Sequence, residues 1–316
     1  MTSSDHLWRI NTRMFLVSMV TLVAMMLQCV EVSCQTNGTA AAAAFVPPSP
    51  PPRLTCVPED VLTRGIQCDD LPDIVCPNTT RKLDDSDFKE VVMLASYPGS
   101  GNTWARYLVE ISTGLMTGSM YCDDELAKVF AGECKKDNPD AYVVYKTHYP
   151  YFPTFNFFGF FSNDLPFGKQ VPKAILVVRN PMDALVAEYT RTISKEHTKE
   201  VPLEAFLKPQ WEEYINRMVL RWATFHRYWL DEFEGEILYV LFDDLRDHTH
   251  REIQRILHFL GRGFTYSNCH YSDSEGKFRR KKQSDFVPYT KKQALTVSRV
   301  TKNPFERIKD RRSKQA

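Results

Sequence analysis

The chain lacks a charge excess of either sign: 40 Lys and Arg face 39 Asp and Glu, a formal net charge of +1 over 316 residues. A balance this even gives no global pull toward nucleic acid. It also lacks any C-x-x-C or paired-His spacing, which argues against a zinc site despite its 8 cysteines. No internal repeat is visible. What remains is ordinary globular material, with 43% hydrophobic and 25% charged residues. That is enough for one large domain with appendages.

One long uncharged run stands out, Met14 to Val30, preceded by Arg9 and Arg13 and followed by Glu31. It is long for a signal-peptide core and slightly short for a membrane span. The basic flank on its N-terminal side places the preceding tail in the cytosol and the rest in the lumen. The run reads as an uncleaved signal anchor at 14–30 behind a cytosolic tail at 1–13. A cleaved peptide ending near Cys34, which would leave the chain secreted, is the alternative. Asn37-Gly38-Thr39 and Asn78-Thr79-Thr80 are glycosylation sequons and agree with either. In an oxidising lumen most of the cysteines should pair, and Cys122 with Cys134 would make a local loop. Spacing alone does not fix the connectivity.

Residues 37–53 are Ala-rich and then Pro-rich, as an extended stalk would be. Residues 54–88 carry cysteines but little periodicity, so 31–88 read as a stem and 89–316 as the domain. Within the domain strand and helix patterns alternate. Expected strands are Glu90–Ser96, Tyr142–Thr147, Ala174–Arg179 and Glu236–Phe242; expected helices are Thr103–Gly114, Pro181–Ser194, Trp211–Glu234 and His250–Gly261. The alternation predicts an α/β parallel sheet with helices on both faces. From Gly276 onward 14 Lys and Arg face three acidic residues. That excess suits a local anionic partner, or a solvated basic tail beyond Lys302.

Ser96-Tyr97-Pro98-Gly99-Ser100-Gly101-Asn102-Thr103-Trp104-Ala105-Arg106 links the first strand to the first helix. Small residues let the backbone approach a ligand, N–H groups at a helix start point at negative charge, and Ser100 and Thr103 add hydroxyls. The loop is an anion cradle. A nucleoside triphosphatase would place Lys and Ser or Thr after the last Gly. Here Asn102 and Thr103 follow Gly101, which argues against that activity. Lys146-Thr147-His148-Tyr149-Pro150 ends the second expected strand on the same edge, where a His can serve as general base. Arg179-Asn180-Pro181 follows the third, and the planar fork of Arg179 suits a phosphate.

Taken together these motifs resemble the sulfotransferase family that uses 3′-phosphoadenosine 5′-phosphosulfate (PAPS). The loop is similar to its Y-P-K-S-G-T-T-W. Gly99, Asn102 and Arg106 fit the Golgi branch whose vertebrate members carry WSC domains, where the loop reads P-G-S-G-N-T-W before an Arg. The stem here is too short for a WSC module. The resemblance implies the P-loop-like sulfotransferase fold, PAPS as donor, no metal, and a glycan or secreted-protein acceptor, with terminal sialic acid one candidate.

It also implies roles. Gly99, Ser100, Gly101, Asn102 and Thr103 would hold the 5′-phosphosulfate, and Trp104 would stack on adenine. Arg179, with Arg280 and Lys281 of a basic loop, would hold the 3′-phosphate. His148 would be the base, and the aromatic stretch Tyr149 to Phe158 would line the acceptor side. Two positions depart from the family pattern. Gly99 stands where cytosolic relatives have Lys, and Ala187 where the family has Ser. Lys146 first, then Arg106, are the candidates for supplying the missing charge, and Thr190 or Arg191 for replacing the Ser. A non-catalytic binder on the same fold is the competing reading.

Overall fold

The structure, a computed structural model, describes residues 80–84, 90–135, 138–150, 154–155, 161–162, 171–195, 199–262, 278 and 287–315. The apolar run Met14 to Val30, the stalk, most of the aromatic stretch after Pro150, and Arg280 and Lys281 lie outside the described residues. No helix among the described residues is long and apolar enough to cross a membrane.

Strands β1 (Val92–Ser96), β2 (Gly118–Ser119), β3 (Tyr145–Thr147), β6 (Lys173–Val178) and β7 (Glu236–Leu241) form one five-stranded sheet in the order β2-β3-β1-β6-β7. Every pairing in it is parallel. The short β4 (Thr154–Phe155) and β5 (Phe161–Ser162) pair with each other, antiparallel. The helices are α1 (Asn102–Thr113), α2 (Asp124–Ala127), α3 (Pro181–Ser194), α4 (Pro209–Arg227), α5 (Phe242–Asp247), α6 (Thr249–Phe259) and α7 (Lys291–Ser313).

Both faces of the sheet are covered, which is why its strands are apolar throughout rather than alternating. Met93, Ala95, Leu176, Val178 and Tyr239 face one core, shared with Leu185 of α3, Trp222 and Phe225 of α4 and Ile308 of α7. Val92, Leu94, Ile175, Val177 and Val240 face the other, shared with Leu108 and Val109 of α1 and Ile253 and Leu257 of α6. The expected α/β class with helices on both faces is what is found.

Helix ends follow their local chemistry. Asn180 caps α3, its Oδ1 accepting from the Met182 N–H at 3.0 Å, with Pro181 in the first turn. Gly114 closes α1 in the left-handed region at φ 66°, its N–H donating to Glu110 O. The long helix expected to Glu234 stops at Arg227 and continues as a wider turn over Tyr228–Glu232. Phe242, expected to end a strand, opens α5 instead.

The largest difference lies at the C-terminal end. The segment beyond Lys302 is no solvated tail but the second half of α7, opened by a Thr290/Gln293 capping box. Thr301, Pro304 and Ile308 are buried. Arg312 donates to the buried Glu252 at 2.7 Å and lies 3.3 Å from Asp244. Gln315 then accepts from Tyr239 N–H at 3.0 Å and donates to Ile237 O at 2.6 Å. A side chain thereby supplies edge strand β7 with two hydrogen bonds that a further strand would have made.

His226 of α4 sits in the first core, fully buried, its Nδ1 2.7 Å from Trp222 O and its ring on Trp222. Burial pushes its pKa down from 6.5 to about 3. The unfolded chain therefore takes up a proton near pH 6.5 that the folded one refuses. Stability from this group is complete above that pH and is lost as pH falls toward 3, at a slope of up to ~1.4 kcal/mol per pH unit. Urea melts between pH 7 and 4 should show this slope shallower in His226→Gln than in the wild type.

Candidate active site

The anion loop leaves the carboxyl end of β1, the central strand of the five, and enters α1 at once. Gly99 and Gly101 hold φ of 78° and 92°, the left-handed region that glycine tolerates at least cost. A Cβ at Gly101 would lie 2.6 Å from the ring of Phe242, and one at Gly99 2.6 Å from Ala184 O. Helix geometry leaves the N–H groups of the first turn without intrahelical acceptors. No side chain caps α1, and no acidic residue stands in its first turn.

Ser100 is fully buried, and its Oγ has no hydrogen-bond partner among the described residues. A buried hydroxyl left open beside an uncapped helix start fits an oxyanion. Asn102 has a structural task, its Nδ2 donating to Leu94 O at 2.9 Å and tying the loop back to β1. Thr103 is half-buried. Trp104 packs edge-on against Phe242, ring centroids 5.8 Å apart.

β3 brings Lys146 and His148 to the same edge, beside β1. His148 Nδ1 lies 2.7 Å from Ser96 O, at the root of the loop. A ring nitrogen facing a carbonyl carries the proton, so the lone pair resides on Nε2. Lys146 is buried, and burial is the main cause that lowers its pKa to about 8. The Arg106 guanidinium lowers it further, while Glu133 and Asp123 oppose.

Arg179 joins the loop directly, its NH1 donating to Gly99 O at 3.1 Å and its guanidinium lying over Phe242 at 4.5 Å. Its Nε is buried with no partner among the described residues. Burial lowers its pKa, against Asp183 and Asp243, which raise it. Ala187 sits at the loop, its Cβ 3.2 Å from where a Cβ on Gly99 would be.

Neither candidate replacement for the absent Ser is brought to that spot. Thr190 Oγ1 donates to Val186 O, and Arg191 is paired in a two-pronged bond with the buried Glu188.

Arg106 needs a correction. It is not at the loop but wholly inside the protein, with Nε on Thr117 Oγ1 at 2.9 Å, NH1 paired with Glu133, and its guanidinium over Phe130 at 4.1 Å. A buried guanidinium already paired cannot also reach a leaving phosphate. Glu133 and Phe130 arrive from a loop closed by a disulfide, Cys122–Cys134, as the sequence suggested. Those two sulfurs, bonded to each other, are removed from metal ligation. Sequence reasoning missed Phe242, Glu133 and Tyr121. The flanking cysteines were the one signal that could have drawn attention to the last two.

The parallel sheet thus brings a glycine-containing loop, a histidine and an arginine together at one edge. Residues 164–314 match the family described as "Sulfotransferase domain". A WSCD family member of Drosophila pseudoobscura pseudoobscura is 36% identical over 62% of this chain and 60% of its own length. Another, of Drosophila melanogaster, is 34% identical over 65% and 62%. Mouse sulfotransferase 1A1 is 24% identical over 63% of this chain and 69% of its own. The structure of mouse sulfotransferase SULT7A1 complexed with PAP aligns at a TM-score of 0.43 and 15% identity, over 69% of this chain and 84% of that one. The C-terminal half of the chain thus matches the sulfotransferase domain family, and the chain is similar to WSCD proteins over about two hundred residues. It spans about three-fifths of the length of the WSCD relatives.

Gly99 is fixed by its surroundings. Gly99→Lys, which would restore the residue of the cytosolic proteins, should lower the melting temperature rather than raise turnover. Its Cβ would meet Ala184 O and the Glu188 N–H at 2.6 and 2.9 Å on a left-handed backbone. The expected loss is about 1–3 kcal/mol, read by thermal denaturation.

Proposed function

We propose that this chain moves a sulfuryl group from PAPS to an acceptor hydroxyl. The observation that carries the reading is the 2.7 Å contact of His148 Nδ1 with Ser96 O. It sets a base, with its lone pair on Nε2, at the root of an anion loop. The donor supplies the sulfuryl group on a phosphate leaving group. Ser100 Oγ and the first-turn N–H groups of α1 are the donors for its 5′ end, and Arg179, with Arg280 and Lys281, for its 3′-phosphate. Trp104 offers a ring face to adenine.

His148 Nε2 takes the acceptor's proton as the acceptor oxygen bonds to sulfur, and the electrons of the broken S–O bond pass to the phosphate. Lys146 supplies the cation that Gly99 cannot. Positioning and charge do the work, as in phosphoryl transfer. No step calls for a metal.

The acceptor is a glycan or a secreted protein, with terminal sialic acid a candidate, and the setting is the Golgi lumen. Met14 to Val30 would be a single type II membrane anchor. Support for this part is the basic flank of that run, the sequons and the family resemblance. A second reading, a non-catalytic nucleotide- or glycan-binding protein, is favoured by Gly99 and Ala187.

Calorimetric titration with 3′-phosphoadenosine 5′-phosphate decides the nucleotide site. Binding should be present in the wild type and lost in Arg179→Ala; no binding by folded wild-type protein would overturn the reading. Binding without turnover on any acceptor would favour the second reading.

Lys146→Ala should keep that binding and lose about 10²–10³ in turnover, on the scale of one well-placed donor. With its pKa near 8 the Lys146 cation is lost as pH rises, so wild-type turnover should fall through pH 8. Unchanged turnover in the Ala variant would move the charge elsewhere.

A further inference from the structure

We propose that Tyr121 is a positioning residue that holds His148 in the orientation of a general base, through its ring face and its hydroxyl. What the base does rests on the sulfotransferase reading above; what Tyr121 does rests on geometry. The Tyr121 and His148 rings stack, centroids 5.4 Å apart and planes 23° from parallel. The Tyr121 hydroxyl accepts the His148 backbone N–H at 2.9 Å. With Nδ1 on Ser96 O at 2.7 Å, the imidazole is fixed at one edge, on one face and at its backbone.

Tyr121 is itself anchored. Its N–H donates to Ser119 Oγ at 3.1 Å, and the preceding Met120 N–H donates to Lys146 O at 3.0 Å. The next residue, Cys122, is bonded to Cys134. Tyr121 is therefore tied to β3 from β2 and to the disulfide loop, and cannot drift from the residue it stacks on.

The physical purpose lies in the charge that His148 gains. An imidazole that takes a proton becomes a cation, and an aromatic face stabilises a cation over it. Tyr121 is not the proton acceptor. Burial pushes its own pKa up to about 12, and its hydroxyl oxygen already accepts the His148 N–H.

The test uses the full chain with 15N-labelled histidine, reading ring signals by NMR alongside kcat and KM. In Tyr121→Leu, kcat should fall about 100-fold, the loss a small misplacement of a reacting group produces. KM for PAPS and affinity for 3′-phosphoadenosine 5′-phosphate should stay within twofold of wild type, on the order of the scatter for a site left intact. The His148 signals should lose the single Nδ1–H tautomer.

Tyr121→Phe keeps the face and loses the hydroxyl's hydrogen bonds with the His148 N–H and the Thr147 side chain, so kcat should fall about fivefold. A Leu variant that binds the nucleotide with wild-type kcat and unchanged ring signals overturns the proposal. If that variant does not fold, unchanged kcat and signals in Tyr121→Phe overturn it. Should the wild type turn over no acceptor, the transfer reading fails, while the ring signals still decide what Tyr121 does.

Discussion

Strand β1 is hydrogen-bonded on both sides, to β3 and to β6, and the parallel sense of those pairings is the constraint on which the rest depends. Parallel strands deliver their carboxyl ends to one edge of the sheet. The loop after Ser96, the histidine after Thr147 and the arginine after Val178 therefore meet without any long-range instruction of their own. Ser96 Oγ lies 3.4 Å from His148 Nδ1, beside the shorter contact to the carbonyl, and Arg179 reaches Gly99 O. Residues more than fifty apart in sequence share a site because their strands are neighbours.

Charge at that edge is set from behind. Arg106 is buried and paired with Glu133, and both bear on Lys146 in opposite directions. A paired buried arginine contributes little net stability by itself, but removing one partner would strand the other charge, a loss of about 3–5 kcal/mol. The pair thus couples a disulfide-closed loop to the charge of a lysine on the working edge. Glu110 belongs to the same network, accepting from the Thr117 N–H and hydroxyl at 2.8 Å, with its carboxyl pKa raised chiefly by burial.

Much of this was readable in the chain. Sheet class, and the placing of the first loop, His148 and Arg179 at one edge, follow from apolar runs ending in short polar motifs, and these are local features. α3 begins and ends where Pro181 and its pattern predict. The fate of Arg106 was not readable, because helical spacing gives its face but not the acid that meets it from a loop 27 residues on. α7 was missed for a related reason. Its basic composition reads as solvated, while its stability comes from Glu252 and from the edge of β7, which only the folded chain brings to it. Phe242 looked like a strand residue because its apolar neighbours are; its contact with Gly101 and Arg179 is tertiary.

Gly99 and Ala187, read along the chain, are two unrelated departures from a family pattern. In space they face each other, the loop resting on α3 at the turn that holds Ala184, Ala187 and Glu188. A bulkier residue at either place would lift the loop off the helix. The two positions therefore act as a single seat: a side chain at 99 fits only if the helix beneath it moves. What distinguishes this loop is then how it is seated on its neighbour, more than the absence of one lysine.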